Sequence, residues 1–123
     1  MSTNYYFHET PLGERRHIGV SATGWCFLLH VYPAEGITDL ADWERLLSAP
    51  NNRIKNEYGE TITKQAMREI ITVRSWPGMR STAKPLSPGV NEGPHGLLRA
   101  KVDGVWCVAH GAGTWDCIVG EFF

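Results

Sequence analysis

The pattern of apolar and polar positions divides this chain into strands at both ends and helices in the middle. Asn4 to Glu9 (NYYFHE) is rich in aromatic residues and stops at Thr10-Pro11-Leu12-Gly13, a turn signal, which predicts a first strand. Arg15 to Val20 predicts a second strand and Trp25 to Tyr32 (WCFLLHVY) a third, split by Ser21-Ala22-Thr23-Gly24. The third run is almost wholly apolar, as expected of a central strand covered on both faces.

Two helices are predicted next, because the apolar period changes from two to about three and a half. Thr38 or Asp39 can cap the first by accepting a bond from an orphan backbone N–H. Leu40, Trp43, Leu46 and Leu47 then recur at helical spacing, with Pro50 just beyond. Thr63 is placed to cap the second helix, with Ile62 and Met67 set for a hydrophobic staple. Met67, Ile70 and Ile71 supply its stripe, and Trp76-Pro77-Gly78 is its stop. Between the helices, Arg53 to Ile62 holds Gly59 where a tight hairpin needs a positive φ. Residues 77–96 are rich in proline and glycine and predict a long irregular loop. Leu97 to Val102 and Val105 to His110 flank Asp103-Gly104, a strong hairpin signal, and Gly111-Ala112-Gly113 turns into a last strand, Thr114 to Val119. Strands, helices, then strands predict an α+β fold, an antiparallel sheet with two helices packed on one face.

Composition narrows the class without naming a function. The 123 residues fit a single domain over 1–123, large enough to bury a core without disulfides. With 42% hydrophobic and 20% charged residues the chain is globular. A formal net charge of −1 argues against nucleic-acid binding through bulk basicity. Cys26, Cys107 and Cys117 each sit in an apolar run and form no Cys-x-x-Cys pair, which points to buried thiols in a reducing compartment. The opening MSTNYYFHE has no signal-peptide pattern, and no run approaches the roughly 20 apolar residues of a membrane span.

Chemistry-bearing residues are scattered. Ser21, with His17 or His30 as base, would make a nucleophilic site. No G-x-S-x-G frame surrounds it, and hydrogen bonding in a turn accounts for Ser21 and Thr23 better. His8, His17, His30, His95 and His110 lack compact ligand spacing, so neither a metal nor a cofactor is expected. His110-Gly111-Ala112-Gly113-Thr114 departs from G-x-G-x-x-G and reads as a glycine-rich turn. Trp25, Trp43, Trp106 and Trp115 fall in predicted elements and are expected in the core. Trp76, beside Arg74 and Arg80, is a candidate binding anchor, although packing on its own domain is the commoner fate of such a residue.

The stretch His17-Ile18-Gly19-x-Ser21-x-x-Gly24-Trp25-x-Phe27 resembles a family of small proteins of tailed bacteriophages and prophages. Leu40-x-Asp42-Trp43, Asn56-Glu57-Tyr58-Gly59, Gly93-Pro94-x-Gly96-Leu97 and Gly111-x-Gly113-Thr114-Trp115-Asp116 to Gly120-Glu121-Phe122 extend the likeness over nearly the whole chain. Members often carry a cysteine pair in the loop between the first two strands, where this chain has Thr10 to Glu14 and no cysteine. Members also tend to carry lysine where this chain has Val20. The resemblance implies an infected bacterial cytoplasm as the setting and brings no catalytic residues with it.

Small size, near-zero charge and the lack of a catalytic constellation then lead to one expectation. The chain is a phage-made accessory protein that binds and inhibits a host protein, a defence component of the kind anti-CRISPR proteins target. Arg74, Trp76 and Arg80 are the expected contacts, with Arg15 and Arg16 as further basic candidates. A rival class is a small hydrolase or nuclease using His17, His30, His110, Asp116 or Glu121, which requires at least two of these to converge in a cleft. A third is a nucleic-acid binder using Arg15, Arg16, Arg53 and Lys55 on one face. Oligomeric state is left open by the sequence.

Overall fold

The computed structural model describes residues 2–9, 14–22, 24–48, 53–73, 90–92, 97–100, 107–110 and 115–119. Its strands are β1 (Ser2–His8), β2 (Arg15–Ala22), β3 (Phe27–Val31), β4 (Ile54–Asn56), β5 (Val90–Glu92), β6 (Leu98–Ala100), β7 (Cys107–His110) and β8 (Trp115–Val119). Its helices are α1 (Leu40–Leu47) and α2 (Lys64–Thr72), with a short 3-10 turn at Pro33–Glu35.

Local chemistry accounts for both helices. Asp39 caps α1, its carboxylate accepting from the Asp42 N–H at 2.9 Å. Thr63 caps α2 in the same way, its hydroxyl accepting from the Ala66 N–H at 3.0 Å. Trp43 and Leu47 on α1, and Met67 and Ile71 on α2, are the buried positions, each pair one turn apart. All four join one cluster with Tyr5, Phe7, Ile18, Phe27, Leu29 and Ile54 from the sheet. Both helices therefore cover the same face. Each large apolar side chain so buried contributes roughly 1.5–3 kcal/mol relative to exposure.

Six strands line up in the order β4-β1-β2-β3-β8-β7, and β5 and β6 form a separate antiparallel pair. The fold is α+β as expected, but the sheet is mixed rather than wholly antiparallel. β3 and β8 run parallel from Phe27 beside Trp115 to Val31 beside Val119. A parallel pair requires a long crossover, which here is everything between the two strands. Two further expectations are corrected. Val90–Glu92 lies in the stretch read as irregular loop, yet it pairs with Leu98–Ala100. The ladders described for β6 and β7 run to β5 and β8 and not to each other, while the Asp103-Gly104 turn lies outside the described residues.

The expected hairpin at Gly59 is present. Gly59 takes φ +83°, Lys55 bridges Thr61, and the Asn56 side chain braces the turn by accepting from the Tyr58 and Glu60 N–H groups. No helix among the described residues is long and apolar enough to cross a membrane.

One irregularity decides which way the side chains of β2 point. Tyr5 pairs with Gly19 but Tyr6 pairs with His17, so Ile18 is an extra residue, a β-bulge in β2. Ile18 drops into the core. Gly19 is left no room for a side chain, because a Cβ there would overlap the Leu28 carbonyl oxygen and the Phe27 ring. His17, which strict alternation would place on the face of Gly19, is turned to the opposite one.

Candidate functional site

The turn of β2 brings His17 against His30 of the neighbouring strand. Their Nδ1 atoms are 3.0 Å apart, and the rings meet edge-on at 75° with centroids 5.3 Å apart. The gap between those two distances is what two imidazole radii laid end to end account for. Each nitrogen therefore points straight at the other, which is the geometry of a single N–H···N hydrogen bond. A zinc ion would sit off that line, about 2.0–2.1 Å from both nitrogens, with the rings inclined toward it. No group of three or more His, Cys, Asp or Glu among the described residues is placed to hold a metal.

The surrounding groups set the proton positions. Asn4 Oδ1 stands 2.7 Å from His17 Nε2. With the Asn4 amide assigned with its oxygen toward the ring, Nε2 carries the hydrogen and Nδ1 of the neutral ring accepts. His30 Nδ1–H is then the donor between the two rings. Tyr32 stacks on His30 with centroids 4.2 Å apart and donates its hydroxyl to the His17 carbonyl at 2.8 Å. Its oxygen also stands 3.3 Å from His30 Nδ1. Trp43 Nε1 donates to the His30 carbonyl at 2.7 Å, which fixes α1 to β3 beside the pair.

Burial above all, then the neighbouring His30 and the charge of Arg15, hold His17 down to about 4. Burial likewise pushes the Tyr32 phenol up to about 12. His17 is therefore neutral at physiological pH and a weak base there. A general base works best with a pKa near the operating pH.

The other hydrolase or nuclease candidates lie on or beyond the strands that follow β3 in the sheet. Asp116 is fully buried in β8, beside Leu28 in one ladder and opposite His110 in the other. His110 belongs to β7, with its side chain outside what is described, and Glu121 lies outside the described residues altogether. Ser21 is buried. Cys26 and Cys117 are buried, as their apolar settings predicted, and neither is in a disulfide.

The binding candidates divide similarly. Arg74, Trp76 and Arg80 lie outside the described residues. Arg16 is engaged by Glu9 and Glu35, at 2.5 and 2.6 Å. Arg53 donates to the Glu9 carbonyl. Arg15 lies over the Tyr6 ring, 3.9 Å from its centroid, and Lys55 pairs across from Tyr6 on the other side. The four cations proposed for nucleic acid are thus split, two engaged and two flanking Tyr6. A shallow depression of about 240 Å³ between Arg16, Glu35, Asp42 and Arg45 has its charges matched in pairs.

Sequence reasoning missed Asn4 and Tyr32. Tyr32 follows His30 by two residues on a strand, so the same-face rule pointed to it. Asn4 had no comparable signal, since its contact with His17 depends on the bulge. No protein-family model, curated protein or solved structure matches this chain.

Proposed function

We propose that this is a small phage accessory protein that acts by binding a host protein in the cytoplasm of an infected bacterium. A component of a defence system is the proposed target, in the manner of an anti-CRISPR protein. One observation carries the choice of a binding role over a catalytic one. His17 and His30, the two catalytic candidates described as meeting, spend their facing nitrogens on each other. The phage setting rests on the resemblance of the His17 to Phe27 motif.

The test is expression of the tagged chain in a bacterium with active CRISPR immunity, challenged with a targeted phage. Plaque formation should be restored, and the chain should co-purify with the immunity complex. Unchanged immunity with no co-purification would reject the defence target. A hydrolase or nuclease activity that disappears in His30→Gln, with the fold retained, would replace binding by catalysis.

A further inference from the structure

The face of the sheet opposite the helices carries an ordered row of rings and cations. Lys55 on β4, Tyr6 on β1 and His17 on β2 are successive partners across the ladders, and His30 on β3 continues the row through the N–H···N bond. Beside it, His8 pairs with Arg15. The Arg15 guanidinium lies over the Tyr6 ring, and the Tyr6 and His17 rings are 5.3 Å apart at 50°. Arg15 is exposed, and Lys55, Tyr6, His8 and His17 are each partly exposed.

The charges on this row differ from three others described, while Arg53 and Lys64 donate to the Glu9 carbonyl and the Ser48 hydroxyl. Arg16, Arg45 and Arg68 each form an ion pair, with Glu9 and Glu35, with Asp42, and with Glu44. Arg15 and Lys55 have no carboxylate within ion-pair distance among the described residues. His8 reports their field: after burial, Lys55 and Arg15 are what hold its pKa below the usual value. Two unmatched cations thus flank an aromatic ring on a sheet surface. That combination suits a strand of nucleic acid, whose bases stack on rings or guanidinium planes while its phosphates meet the cations. A duplex offers no free base face to such a surface.

We infer that the Lys55-Tyr6-Arg15-His17 row binds a short stretch of single-stranded nucleic acid, with Arg15 and Lys55 on phosphates and the Tyr6–Arg15 stack under a base. This goes beyond the host-protein reading and does not depend on it, since it concerns the isolated protein and a naked strand.

Fluorescence anisotropy of the full chain with labelled oligo-dT, oligo-U, a duplex of equal length and poly-glutamate tests it. The single strands should bind in preference to the duplex, with a slope of log K against log salt of about −1.4 for two phosphates. Arg15→Gln and Lys55→Gln should each reduce that slope by about 0.7. Tyr6→Leu should weaken strand binding about 10-fold or more through lost stacking, with circular dichroism confirming the fold. Arg68→Gln, on α2, should change nothing. Absence of strand binding at low salt overturns the inference, as does a slope unchanged in the Arg15→Gln, Lys55→Gln double variant. Stronger binding of poly-glutamate than of either strand would give the row to an acidic protein partner instead.

Discussion

Acidification tests the state of the imidazole pair directly. In the unfolded chain His17 takes up a proton near its ordinary value of 6.5, whereas in the fold it does so only near about 4. Between those values the unfolded chain holds more protons, so lowering the pH draws the equilibrium toward unfolding. Stability that is intact at pH 7 should fall as the pH drops below 6.5 and level off once it passes about 4. At about 1.4 kcal/mol per pH unit the full interval corresponds to about 3 kcal/mol. The ring is partly exposed, and solvent screening reduces the expected loss to about 2 kcal/mol. His8, whose pKa is also lowered, adds a contribution of the same sign.

Other groups occupy a different window. Asp42, held at about 2 by the Thr38 backbone N–H and then by the Thr38 hydroxyl and Arg45, contributes stability that is present above its ordinary 3.8. That part is lost only as the pH falls toward 2, below the range in question. Urea unfolding followed by tryptophan fluorescence at about pH 7.5 and about pH 4.5 isolates the histidine part. His17→Gln should flatten the dependence, and the Hε1 resonance of His17 should titrate near 4 by NMR. A His17 titration near 6.5, or a pH slope identical in His17→Gln, would show that the ring is not held as described.

Gly19→Ala should destabilise the protein by roughly 2–3 kcal/mol, since a methyl group there overlaps the Leu28 carbonyl and the Phe27 ring and the sheet must shift to admit it. A denaturation midpoint within error of the parent would refute the close packing at the bulge. Trp43→Phe removes the donor to the buried His30 carbonyl as well as part of the core, and should cost about 2–4 kcal/mol in urea unfolding. A loss below about 1 kcal/mol would mean that this bond does not anchor α1 to β3.

What could be read from the chain depends on how far apart the determinants lie. Asp39, Thr63 and the Trp43-Leu47 and Met67-Ile71 pairs act within a turn of themselves, so both helices were legible. The apolar run of β3 also spoke for its central position, which the structure places between β2 and β8. The parallel pairing of Phe27–Val31 with Trp115–Val119 was not legible, because the partner is supplied from the far end of the chain by tertiary packing. β5 was hidden for another reason. Its three residues sit among prolines and glycines whose local signal is that of a loop, and only pairing with β6 makes a strand of them.

The candidate site shows the same division at a finer scale. Spacing put His17 and His30 on adjacent strands, but strict alternation from Gly19 would have turned His17 into the helix-covered face. The extra residue Ile18 reverses that choice. Ile18 gains a place in the core, Gly19 yields its side-chain volume to Phe27, and His17 emerges in register with Tyr6 and Lys55. Core packing and the surface row are thus two consequences of one insertion. Removing it should do more than loosen β2: His17 would face the apolar cluster, its bonds to Asn4 and His30 would be lost, and the row across the open face would be broken at its centre. A deletion of Ile18 that left the pH dependence of stability and the strand-binding salt slope both intact would separate the two, and the bulge would then have only a packing role.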